Sequence, residues 1–113
     1  MDLNTFGAIM TFAIQFEERI AAFYRESGDA ARAADAEKRR ATLERVRREN
    51  VVEIQLEPIE GLNAADYALT AADAAGIEAT AVRFYTDVAP RIAAREAARA
   101  LEKMGKAHKA LLG

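Results

Sequence analysis

A chain of 113 residues, 51% apolar and 30% charged, has material for one domain with a single core, residues 1–113 taken together. Its formal charge of −2 gives no electrostatic reason to expect nucleic acid or an anionic membrane as a partner. With no cysteine in the sequence, disulfides, thiol chemistry, zinc ribbons and rubredoxin-type iron sites are excluded, and no apolar run approaches the length of a membrane span. Alanine, glutamate, arginine and lysine dominate, which favours helix. Met1-Asp2-Leu3-Asn4 lacks a basic region followed by an apolar core, so the expectation is a cytoplasmic, all-α protein.

The first helix is expected to start after Asp2 or Asn4, either of which can cap it, and to end near Gly28. Met10, Ala13, Ile20 and Tyr24 share one face of it, with Glu17 in their midst, while Glu18 points away. A carboxylate in an apolar stripe is costly to bury unless a cation or a hydrogen-bond donor meets it. The second helix is predicted from Asp29 or Ala30 to Glu57, where Pro58 and Gly61 stop it. Its inward face reads Ala36, Leu43, Val51 and Ile54, with Arg47 and Asn50 within it and Glu44 at its edge. The run from Lys38 to Arg48 interleaves its cations with Glu37, Glu44 and Glu49, which reads as a solvated face and not a nucleic-acid surface.

Asn63, with Asp66 three residues on, is expected to cap a third helix that carries Gly76 inside and breaks between Pro90 and Ala93. Ala71, Ala74, Ala75, Val82 and Tyr85 surround Glu78 on it. A fourth helix is expected from Ala94 to Leu112, with Ala97, Leu101, Met104 and Leu111 inward and His108 near the centre of that face. Four helices with mostly short connections give an antiparallel four-helix bundle. Its hairpins, residues 1–57 and 63–113, read as pseudo-repeats. Glu17 and Tyr24 match Glu78 and Tyr85, each tyrosine following its glutamate by seven residues. Leu43, Val46 and Ile54 match Leu101, Met104 and Leu112, so that Arg47 falls opposite Gly105 and Asn50 opposite His108.

On these residues the chain resembles the rubrerythrin branch of the ferritin-like di-iron proteins. Bundles of that kind place one Glu on each of two helices and a Glu-x-x-His on each of the other two. Glu17 and Glu78 look like the single glutamates, and in active relatives tyrosines in the places of Tyr24 and Tyr85 flank the metals. The two Glu-x-x-His positions hold Arg47 with Asn50, and Gly105 with His108. The expectation is therefore a degenerate relative with a structural or interaction role. It has no favoured cofactor and no catalytic residue, and its buried polar network comprises Glu17, Arg47, Asn50, Glu78, His108, Tyr24 and Tyr85. Arg47 would stand in place of metal between Glu17 and Glu78, in space opened by Gly105. The alternative is a non-haem iron oxidoreductase or iron-handling protein that binds iron through Glu17, Glu78 and His108. Phe12, Phe23 and Phe84 lie off the central stripes, where aromatics either widen the core or form a dimer contact; a homodimer is the expectation.

Overall fold

The computed structural model describes residues 2–50 and 59–112. Among these residues the structure is all-helical: α1 (Phe6–Glu26), α2 (Ala30–Glu49), α3 (Ala74–Val88) and α4 (Arg95–Ala110), with short 3-10 turns at Ala64–Tyr67 and Ala89–Arg91. No helix among them is long and apolar enough to cross a membrane.

Thr5, and neither Asp2 nor Asn4, caps α1: its hydroxyl accepts from the Ala8 N–H at 3.0 Å. The two expected caps are used elsewhere. Asp2 bridges to Asn63, whose side-chain amide donates to the Asp2 carboxylate at 3.1 Å, and the Asn4 carbonyl accepts from the Ile59 N–H. Between them Leu3 is fully buried, its N–H donating to the Leu62 carbonyl, so the chain start is stitched to residues 59–63.

Gly28, at φ +79°, turns the chain after α1, and Asp29 caps α2 through the Arg32 N–H. The α2 helix reaches its C-cap at Asn50, short of the expected Glu57; residues 51–57, with Val51 and Ile54, lie outside the described residues. Asn63 caps only the 3-10 turn. Asp73 opens α3 ten residues later than expected, by accepting from the Gly76 N–H at 2.8 Å. Pro90 sits in the 3-10 turn between α3 and α4, where a missing N–H costs little.

Gly76 is thus the third residue of α3, and a side chain there has no room. A Cβ would lie 2.4 Å from the Ala71 Cβ and 3.0 Å from an Asp73 carboxylate oxygen. Gly76→Ala is therefore expected to destabilise the protein by about 1–3 kcal/mol, although alanine is the better helix former. Urea denaturation measures this; unchanged or raised stability would mean that the loop yields freely.

The core is built where α1 packs on α2 and α3 on α4. Phe12, Phe16, Phe84 and Tyr67 form a cluster of tilted and edge-on rings with centroids 5.0–5.5 Å apart. Phe12 and Phe84 are consequently core residues, 7% and 0% exposed, and do not offer a dimer contact; Phe23 is half-buried against Tyr24. The buried stripe of α3 is Ile77, Glu78, Ala81, Phe84, Tyr85 and Val88, so Ala75, expected beside Glu78, faces solvent. That shift brings the large side chains inward, where each fully buried one contributes about 1.5–3 kcal/mol.

Candidate functional site

Four groups that carry charge converge in the core: Glu17 of α1, Arg39 of α2, Glu78 of α3 and His108 of α4. Glu17, Glu78 and His108 are almost wholly buried, and the Arg39 side chain is 11% exposed. Glu17 sits mid-stripe between Ala13 and Ile20, and Glu78 next to Ile77 and Ala81, so helical phase alone carries both carboxylates inward. His108 lies one turn beyond Met104 on the inward face of α4, as expected.

The imidazole stands between the two carboxylates. Nε2 lies 2.8 Å from Glu17 Oε2, and Nδ1 makes a short contact with Glu78 Oε2. Ionised carboxylates only accept hydrogen bonds, so both contacts are satisfied when both ring nitrogens carry protons. Arg39 Nε donates to both Glu17 oxygens, at 3.0 and 3.1 Å. In that state two carboxylates face one guanidinium and one imidazolium, and the charges of the cluster sum to zero. Arg39 Nη2 is buried without a hydrogen-bond partner among the described residues, a cost of about 1–3 kcal/mol that the arrangement carries.

The two tyrosines close the network by exchange. Tyr24 of α1 donates to Glu78 Oε1 on α3 at 2.5 Å, and Tyr85 of α3 donates to Glu17 Oε2 on α1 at 2.8 Å. Because each tyrosine follows its own glutamate by seven residues, two helical turns, the reciprocal bonds require the two segments to pass in opposite directions. Burial, followed by the Glu78 bond, pushes the Tyr24 phenol up, and burial with the Glu17 charge does the same for Tyr85; both stay neutral donors. Tyr85 also stacks on His108, rings 12° apart in plane and 5.6 Å between centroids. Gly105 permits that approach, since a Cβ there would lie 3.1 Å from the Tyr85 Cβ.

Arg47 is not part of this cluster. It is exposed and borders a shallow surface groove with Ile14, Glu44 and Arg48, so the space beside Gly105 serves Tyr85 and not an arginine. The physical reason lies in the phase of α2. With Leu43 inward, Val46 and Arg47 compete for the next inward position, and the apolar side chain takes it. The same phase run backwards places Arg39 and Ala36 inward, and that spacing was the signal for Arg39 in the sequence. Asn50 is buried, but its amide donates to the Val46 carbonyl at 2.8 Å and closes the end of α2. Glu44 pairs with Arg40 at the edge of the stripe, as expected.

The network fixes the sign of its own pH dependence. Burial alone lowers the His108 pKa, but its hydrogen bonds to Glu17 and Glu78 outweigh that and leave it above the ordinary 6.5. Burial likewise raises Glu78, and the bond and charge of His108 with the Tyr24 hydroxyl outweigh it, leaving Glu78 below its ordinary 4.5. A raised histidine contributes stability that is complete below 6.5 and lost as pH rises through its folded value. A depressed glutamate contributes stability that is complete above 4.5 and lost as pH falls through its folded value. Stability is therefore expected to peak between 4.5 and 6.5 and to fall on either side. Thermal melts across pH test this, and a melting temperature that keeps climbing into the alkaline range would contradict it.

Compared with protein-family models, curated proteins and solved structures, the chain finds a match in none of the three.

Proposed function

We propose that this chain is a ferritin-like, rubrerythrin-like antiparallel four-helix bundle in which a charge cluster made of its own side chains stands where relatives of that kind hold metal. Its role is structural or interactive and not oxidative. The observation that carries the reading is the position of His108, with each ring nitrogen facing a buried carboxylate. The reciprocal Glu17–Tyr85 and Glu78–Tyr24 bonds support a bundle of two related hairpins.

The donor set argues against a pair of iron ions. Such a pair draws on a glutamate from each of two helices and a Glu-x-x-His from each of the others, and here only Glu17, Glu78 and His108 stand at matching positions. A ligating histidine needs an unprotonated nitrogen, whereas both nitrogens of His108 face carboxylates. Both oxygens of Glu17 are already held by the permanently charged Arg39. The residues present do not fit the di-iron group.

The test is incubation with ferrous iron without oxygen, followed by desalting, exposure to air and near-ultraviolet spectroscopy with metal analysis. The expected result is folded, helical protein that retains no iron. Retention of about two irons per chain, as the di-iron bundles hold, with an oxo-bridged ferric band would replace this reading with the iron-binding one through Glu17, Glu78 and His108.

A further inference from the structure

We propose that α4 is a latched lid: it swings away from the bundle as a unit while α1, α2 and α3 stay folded. Such a lid goes beyond the proposed function and does not rest on it.

Of the four helices, α4 is the most weakly held. Thr5, Asp29 and Asp73 cap α1, α2 and α3 through their side chains, whereas Ala94 gives α4 no side-chain cap. Its first residue, Arg95, brings a cation to the positive end of the helix dipole. Gly105 lies inside the helix, where glycine is the poorest helix former after proline. Leu101 and Met104 are the large apolar side chains that α4 buries, where α1 buries Ile9, Met10, Phe12, Phe16, Ile20 and Tyr24. The α2 helix buries as few large ones, Leu43 and Val46, but it is capped, has no internal glycine and joins α1 through the tight turn at Gly28.

Grooves of about 530 Å³ each run along both flanks of α4, one against α2 at Arg45 and Val46, the other against α3 at Tyr85 and Thr86. The helix is therefore seated on a narrow strip. The chain leading into it is a 3-10 turn at Ala89–Arg91 followed by extended backbone at Ile92 and Ala94, a joint of a few residues at an element's end. At the far end His108 fastens the helix: its ring meets Glu17 of α1 and Glu78 of α3 and stacks on Tyr85. A weak helix with one strong fastening away from its joint opens as one piece once the fastening lets go. Opening carries the imidazole out and uncovers Tyr85, Glu17 and Glu78, with Arg39 still bonded to Glu17.

The test is native-state amide hydrogen exchange of the whole chain, followed by NMR in low concentrations of urea. After correction for intrinsic rates, Leu101, Met104 and Gly105 in the middle of α4 are expected to exchange at least about tenfold faster than Phe16 and Ile20 of α1, through an opening below the global one. Their urea dependence is expected to be shallower, because lid opening exposes less surface than global unfolding. Ile9→Val, a buried change in α1, is expected to speed the exchange of Phe16 and Ile20 by about twofold to tenfold. It should leave the α4 amides unchanged, because α1 stays folded when the lid opens. Equal protection and equal urea dependence in α4 and α1 would overturn the proposal. So would faster exchange at Leu43 of α2 than in α4, or an α4 response to Ile9→Val as large as that of α1. The iron test reads metal retention and not these rates, so either reading can fail alone.

Discussion

Replacing His108 with leucine is expected to cost about 5 kcal/mol, the upper end of what breaking a buried ion pair costs. One imidazolium serves two buried carboxylates, and without it Glu17 and Glu78 share only the Arg39 charge. A domain of this size has roughly 5–15 kcal/mol of stability in all, so towards the low end of that range the single variant is partly unfolded at room temperature. A second variant keeps the prediction measurable. Glu78→Leu combined with His108→Leu removes a carboxylate and an imidazolium together, and the remaining Glu17–Arg39 pair is balanced. The double variant is expected to be more stable than His108→Leu alone by about 2 kcal/mol or more, since the unpaired charge and not the lost contact dominates the cost. Denaturant melts of the two variants decide this. A double variant less stable than the single would mean that packing around the ring, including its stack on Tyr85, outweighs charge.

The second large effect separates two arginines on the same helix. Arg39→Met is expected to destabilise the protein by about 3 kcal/mol, the lower end for a broken buried pair, because the substitution also removes the unpartnered Nη2. Arg47→Met is expected to change stability by no more than about 0.5 kcal/mol, because its side chain lies at the surface. Adding Glu17→Gln to Arg39→Met should recover part of the loss by removing the carboxylate that the guanidinium neutralises, with Tyr85 still able to donate to the glutamine oxygen. If Arg47→Met proved the more damaging change, the phase of α2 would be wrong and the arginine in the core misidentified.

These two arginines also show what could be read from the sequence. Glu17, Glu78, Tyr24, Tyr85 and His108 were legible because α1, α3 and α4 carry enough large apolar residues to fix which side faces the core. A polar residue caught inside a well-marked stripe then stands out. On α2 the markers are sparse: its buried residues are Ala33, Ala36, Leu43 and Val46, two of them alanines that occupy either face of a helix readily. A face drawn through Ala36, Leu43, Val51 and Ile54, the last two beyond the described end of the helix, admits Arg47, and the repeat match to Gly105 points to the same residue in place of Arg39. The late start of α3 was missed for a different reason. Asn63 and Asp73 are both good caps, and only the crowding of Gly76 against Ala71 and Asp73 shows which of them opens the long helix. The capping role of Thr5 was hidden likewise, by Asp2 and Asn4, whose partners lie some 60 residues further along the chain.

On this account a protonated His108 bridges two buried carboxylates, Glu17 and Glu78. Nitrogen-15 NMR of the imidazole ring tests it most directly, because His108 is the only histidine in the chain and its signals need no assignment. At neutral pH the predicted spectrum is that of an imidazolium, both ring nitrogens protonated and both protons slow to exchange with water. A spectrum with one bare nitrogen at neutral pH would contradict the account, and would leave that nitrogen free to bind a metal ion.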